Sequence, residues 1–204
     1  QARRRAGNRI ITTKTEHPAV LEPCAYMEKQ GFEVVYIDVD SKGCIDLEQL
    51  RSEINDNTIL ISVMHVNNEL GSINPIAEIS KLKGNALFHS DAVQSYGKVE
   101  INAGGTDIDM ISVSGHKIHG PKGIGAIYVR KGVNVSPYIM GGGQEKNMRS
   151  GTENVPAIAG FGVAADISYT NMKTRTDNMK AARAHLLEGI RGSISDIKVN
   201  SPED

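Results

Sequence analysis

The sequence predicts an α/β fold: a mostly parallel sheet with helices on both faces, giving three layers. Short β-branched runs at 10–13, 33–39, 58–65, 86–90, 109–114 and 125–130 read as strands. Apolar residues at helical spacing over 17–30, 46–54 and 75–82 place helices between several of them. Alternating strands and helices are what a parallel sheet with helical crossovers requires. Only residues 115–123 separate the last two runs, which leaves room for an antiparallel pair there.

Beyond the glycines at 141–143 a polar loop runs to Thr152, and helical patterning resumes over 156–169 and 177–190. The 204 residues suffice for one sizeable core and a fraction of another. We expect residues 1–175 to form a large domain lacking its N-terminal part. Residues 176–204 are expected to begin a smaller, truncated domain, with 196–200 opening a further strand. The connection between the third helix and the fourth strand is about two residues shorter than expected, as a deletion would make it.

Lys and Arg number 23 against 24 Asp and Glu, so the net charge of −1 gives no general reason to bind nucleic acid or an anionic membrane. No apolar run approaches the ~20 residues that cross a bilayer, and the N-terminus lacks the apolar stretch of a signal peptide. A cytoplasmic location is expected, or an organelle matrix if the source is eukaryotic. Arg3, Arg4 and Arg5 read as a solvated helix end. Cys24 and Cys44 have no Cys-x-x-Cys spacing and read as structural.

In open α/β sheets ligands gather beyond the carboxyl ends of the strands. Polar groups follow four of the runs: Thr15-Glu16-His17, His65-Val66-Asn67-Asn68-Glu69, Asp91-Ala92-Val93-Gln94 and Ser114-Gly115-His116-Lys117. Lys117, among glycines after an apolar strand, is placed to be partly desolvated and to act as a Schiff-base nucleophile, although taken alone it reads as a surface lysine in a polar loop. Asp91 alone reads as a helix cap. Together they match a pyridoxal 5′-phosphate (PLP) site, which needs a carboxylate at the pyridine nitrogen. His17 is either a capping side chain or a flat ring to stack on the cofactor. Gln94, one helical turn after Asp91, can reach the same ligand, and Ser114 and His116 offer donors to a phosphate.

These segments, with His89-Ser90, Ile118-His119-Gly120-Pro121-Lys122-Gly123, Gly141-Gly142-Gly143-Gln144-Glu145 and Met148-Arg149-Ser150-Gly151-Thr152, resemble the cysteine desulfurases of the NifS/IscS type. The resemblance runs in order from about Gly7 to Tyr169. It implies the aspartate-aminotransferase-like large domain of fold type I PLP enzymes. It further implies that Lys117 holds PLP and removes the substrate's α-proton, while Asp91 pairs with the pyridine nitrogen. His17 would stack on the ring and assist proton transfer. Gln94 would bond the phenolic oxygen, with Asn68 near it and the substrate carboxylate. Ser114 and His116 would bind the phosphate, and Thr152 would reach the phosphate of the neighbouring subunit in a homodimer. The implied reaction converts L-cysteine to L-alanine and passes the sulfur, through an enzyme persulfide, to an acceptor or iron–sulfur scaffold protein.

The sequence departs from that pattern in having no cysteine after Cys44, so the family's sulfur-accepting cysteine is not matched. An N-terminal phosphate turn and a C-terminal arginine for the substrate carboxylate are not matched either, and the 204 residues alone are expected not to turn over cysteine. Two other readings stand beside this one. One is a related PLP enzyme, such as a selenocysteine lyase or a kynureninase-like or aminotransferase-like protein. The other is a non-catalytic core that binds PLP or a partner.

Overall fold

The computed structural model describes residues 3–202; the outermost positions of the two expected domains, 1–2 and 203–204, lie outside the described residues. In chain order the elements are β1 (Arg9–Thr13), α1 (Pro18–Lys29), β2 (Glu33–Ile37), α2 (Leu47–Glu53), β3 (Thr58–Ser62), α3 (Ile76–Leu82), β4 (Leu87–Asp91), β5 (Met110–Ser114), β6 (Gly125–Val129), α4 (Val155–Thr170) and α5 (Met172–Ser193). The strands form one sheet in the order β2-β1-β3-β4-β5-β6. Neighbouring strands from β2 through β5 pair parallel, and β6 joins β5 antiparallel. The mostly parallel sheet and its antiparallel departure are therefore as predicted.

Each face of the sheet buries its own apolar set. On one side Ile11, Ile37, Ile61, Phe88 and Ile111 pack with Leu50 of α2 and Ile79 of α3. On the other, Ile10, Ile59 and Phe32 enclose Cys24 of α1. A register shift where β3 meets β1 makes room for both Ile59 and Leu60 on the α1 side. Helix starts follow the sequence: the Asp46 side chain accepts from the N–H groups of Glu48 and Gln49, and Asn154 from that of Ala157.

Several expectations are corrected. The second and third strands end at Ile37 and Ser62 rather than at 39 and 65, although the Val63 and His65 N–H groups still donate to the His89 and Asp91 carbonyls of β4; Val39 and Val66 make isolated bridges to Ile45 and Ile73. Asp91 is the last residue of β4, not the first beyond it. Residues 3–6 form a turn instead of a helix end, and Arg4 lies over the Phe32 ring at 5.0 Å. Residues 196–200 form no strand; Asp196 has a positive φ, and the Lys42 ammonium holds the backbone carbonyls of Val199 and Ser201 instead. The short α3–β4 connection closes in a turn, with the Ala86 N–H donating to the Lys83 carbonyl at 3.0 Å.

One buried ion pair ties this turn to the sheet. Asp109 is 4% exposed and accepts from the Lys83 ammonium and, at 2.8 Å, from the Phe88 N–H. Asp109→Ala is expected to cost about 2–4 kcal/mol in urea unfolding, because it strands a half-buried cation and a buried donor. Asp109→Asn, which keeps the acceptor for Phe88, should cost less.

Candidate functional site

Parallel strands that start on one side must end on the other, so the ends of β1, β3, β4 and β5 share one edge of the sheet. Asp91 closes β4, and its Oδ1 accepts from the Val93 N–H at 2.9 Å. Ser114 closes β5 next to it, two residues or ~7 Å beyond Ser112, the partner of Asp91 across the ladder. There the chain tightens into a single 3-10 turn, Gly115–Ile118, which carries His116 and Lys117. His119 closes it in the left-handed region at φ 67°. The turn is tight because its neighbours leave no room. A Cβ on Gly115 would lie 3.0 Å from Ile124 and 3.2 Å from Phe161, and one on Gly160 of α4 would lie 2.8 Å from Pro121.

Ser114 Oγ and His116 Nδ1 are 2.7 Å apart, so the two candidate phosphate donors already engage each other. Gln94 lies in a run of turns at 93–98 rather than a regular helix. The run is anchored by the Tyr96 ring packed against Phe161 and Tyr169, and the Lys98 ammonium donates to the Gln94 carbonyl at 3.0 Å. Burial, then the nearby charges of Lys117 and Arg175, hold the Lys98 ammonium below its usual pKa. Lys117 itself is exposed: the desolvation expected for it is not supplied by the described residues, because only one side of its turn is covered, by α4.

His17 caps α1, its Nδ1 accepting from the Ala19 N–H at 3.1 Å, which leaves the proton of a neutral ring on Nε2. Its ring is exposed beyond the end of β1. Asn67 and Asn68 divide the labour of their loop. Asn67 is buried, accepts from the N–H groups of Glu69 and Leu70 and donates to the Thr15 carbonyl at 3.0 Å; Asn68 is exposed. Thr152 is exposed in the polar loop before α4, and no described hydrogen bond joins it to the Asp91–Lys117 group.

Sequence reasoning gave no role to Glu16, His65 and His89. Glu16 is 4% exposed, and its Oε1 accepts from the Met64 N–H at 2.7 Å and from the Thr13 hydroxyl at 2.9 Å. It thereby ties the turn bearing His17 to the loop bearing Asn68. Burial pushes its carboxyl from 4.5 up to about 7, against those two hydrogen bonds and with help from the charge of Asp91. Burial lowers the His65 imidazole to about 4, so it is neutral at neutral pH. The acid in Thr15-Glu16-His17 has an ordinary sequence environment; only the fold turns it inward. Cys24 is buried, and its thiol is pushed up to about 11 by burial and then by the charges of Glu16 and Glu28. It is a poor source of thiolate. Burial, and then Asp40, also raise Cys44.

The family model for class-V aminotransferases matches residues 1–204, and the chain belongs to that family. Among its relatives, the cysteine desulfurase IscS of Clostridium botulinum (strain Hall) is 44% identical over 205 residues, spanning 100% of this chain and 52% of the relative. A solved NifS-like protein superposes with a TM-score of 0.95 at 38% identity, over 99% of this chain and 56% of the other. A structure described as SspA in complex with cysteine matches 81% of this chain and 49% of its own, at 43% identity and a TM-score of 0.77. The chain thus spans about half the length of the curated relatives it matches. No described helix is long and apolar enough to cross a membrane.

Because the folded protein keeps a proton on Glu16 that the unfolded chain has lost between pH 4.5 and about 7, this group makes stability fall as pH rises through that window. Glu16→Gln should flatten the pH dependence of unfolding between those values and lose less stability than the wild type by pH 8. Parallel stability curves for the two proteins would contradict the assignment.

Proposed function

We propose that this chain is the cofactor-binding part of a PLP-dependent cysteine desulfurase, with Lys117 as the Schiff-base lysine. The observation that carries the reading is the placement of Asp91 and the Lys117 turn at the ends of adjacent strands, on one edge with His17 and Asn68. The donor set fits PLP: a carboxylate for the pyridine nitrogen, an amine for the aldehyde, a hydroxyl and an imidazole for the phosphate, and a flat ring to cover one face. Relatives named cysteine desulfurase and a neighbour described as holding cysteine support L-cysteine as the substrate.

In this reading the Asp91 carboxylate keeps the pyridine nitrogen protonated. Lys117 would hold the cofactor through its ε-amine and would serve as the general base for the substrate's α-proton. Gln94 and Asn68 orient the phenolic oxygen and the substrate carboxylate. Ser114 and His116 bind the phosphate, for which their mutual hydrogen bond must open. His17 packs against the ring and moves a proton through Nε2. When bound, PLP supplies the electron sink that lets the bonds at the substrate's α- and β-carbons break.

The sulfur needs a thiol nucleophile, and neither Cys24 nor Cys44 is activated. We assign the persulfide-bearing cysteine to the full-length protein outside these 204 residues. From there the sulfur passes to an acceptor or scaffold protein. Residues 1–175 are assigned to the cofactor-binding domain and 176–204 to the beginning of the smaller one. The helix α5 runs unbroken across that boundary with no residue buried among those described, as a connecting helix would. Thr152 is assigned to the partner subunit's phosphate in a homodimer. The exposed Tyr138, Ile139 and Met140 just before its loop supply apolar surface for such an interface.

The full-length protein loaded with PLP should form alanine and sulfane sulfur from L-cysteine in equal amounts, and Lys117→Ala should abolish both. Turnover that survives this change would sink the assignment. In dimers mixed from wild-type and Thr152→Ala subunits, phosphate-linked weakening of PLP should appear at the site of the subunit facing the variant. Weakening confined to the variant's own site would place Thr152 in cis.

A further inference from the structure

A polar row crosses the sheet just behind the candidate site. His89 of β4 stands between Ser62 of β3 and Ser112 of β5, with Nδ1 2.8 Å from Ser62 Oγ and Nε2 2.8 Å from Ser112 Oγ. A neutral imidazole donates from one nitrogen and accepts at the other, and two hydroxyls can answer either arrangement, so both ring nitrogens are satisfied. Burial lowers the imidazole's pKa, and the nearby Asp91 only partly opposes that, which keeps the ring neutral.

Side chains two apart on a strand point to the same face, so His89 and Asp91 share the face opposite Phe88. The bridge and the carboxylate also share their anchors. Ser112 faces Asp91 across the ladder, its carbonyl accepts from the Ala92 N–H at 2.9 Å, and its hydroxyl holds His89. On the other flank the His65 N–H donates to the Asp91 carbonyl at 2.9 Å. The strand that delivers Asp91 is thus fastened sideways in both directions, by the main chain at its tip and by His89 one step behind.

We propose that His89 is a positioning residue for Asp91: by bridging Ser62 and Ser112 it fixes the spacing of β3, β4 and β5, so that the carboxylate meets a pyridine nitrogen at one defined place. The inference rests on the PLP reading above and assigns to His89 no contact with the cofactor. Its neutrality matters as well, since a cation so close behind Asp91 would compete with the pyridinium for the same carboxylate.

The test uses the full-length protein with added PLP, comparing wild type, His89→Gln, His89→Phe and Ser112→Ala by PLP affinity and by the pH midpoint of the bound cofactor's visible band. Gln can accept and donate at the two ring-nitrogen positions and should stay close to wild type in both. Phe and the serine variant should bind PLP roughly tenfold more weakly, on the scale known for outer supports of metal ligands. Their midpoints should be displaced in the same direction. A folded His89→Phe protein with wild-type affinity and midpoint overturns the proposal. If that variant does not fold, an unchanged Ser112→Ala does so in its place. A His89→Gln protein as impaired as His89→Phe would show that ring packing, not bridging, is what the position needs. A wild-type protein that gives no cofactor band overturns the PLP reading and this inference together, whereas a normal band in every variant overturns this inference alone.

Discussion

Everything at the candidate site depends on parallel pairing. A parallel sheet sends its strand ends to one edge, and the connections there are free to carry chemistry because both faces of the sheet are spoken for by packing. In this chain one face is sealed by α2 and α3 over Ile11, Ile61 and Phe88, and the other by α1 over Ile10 and Ile59. The strands cannot slip without burying the wrong side chains. Asp91 and Ser114 are therefore held by the hydrophobic register of the whole sheet, and the hydrogen bonds around them refine a position already imposed.

The sheet changes character across its width. On the α1 side it is apolar at β1 and β2 and becomes polar toward β5, where Ser62, His89, Ser112 and Ser114 replace aliphatic residues. Hydroxyls and a neutral imidazole suit a surface that supports a charged ligand, because they satisfy one another when the ligand is absent. The Ser114–His116 contact has the same character at the rim. Rigidity on the far side of the Lys117 turn comes from α4, which contacts the turn through Phe161 and through the close approach of Gly160 to Pro121. The remaining side of the turn is open, and Lys117 is exposed there.

The strand and helix order was legible because periodicity follows burial: β-branched runs mark strands that the helices cover in the middle of the sheet, with β6 at the edge left exposed, and the spacing of apolar residues marks the helices between them. The strand ends were less legible. Val39 and Val66 continue the apolar pattern, but they leave the sheet for single bridges to Ile45 and Ile73, which no local pattern announces. At the site, Asp91, Lys117 and His17 stood out as polar residues directly after apolar runs, and the structure brings all three to one edge. Glu16 and His89 did not, because their importance lies in partners 48 and 27 residues away, Met64 and Ser62. The strand suggested at 196–200 fails for the complementary reason: a short β-prone run needs a neighbouring edge, and the Lys42 ammonium occupies its carbonyls instead.

The central claim, that the Lys117 turn and Asp91 form a PLP site, is tested most directly by loading the full-length protein with PLP, reducing with borohydride and mapping the modified peptide by mass spectrometry. The account predicts a single reduced adduct on Lys117, which Asp91→Ala diminishes. An adduct on another lysine, or none while PLP is bound, would contradict it.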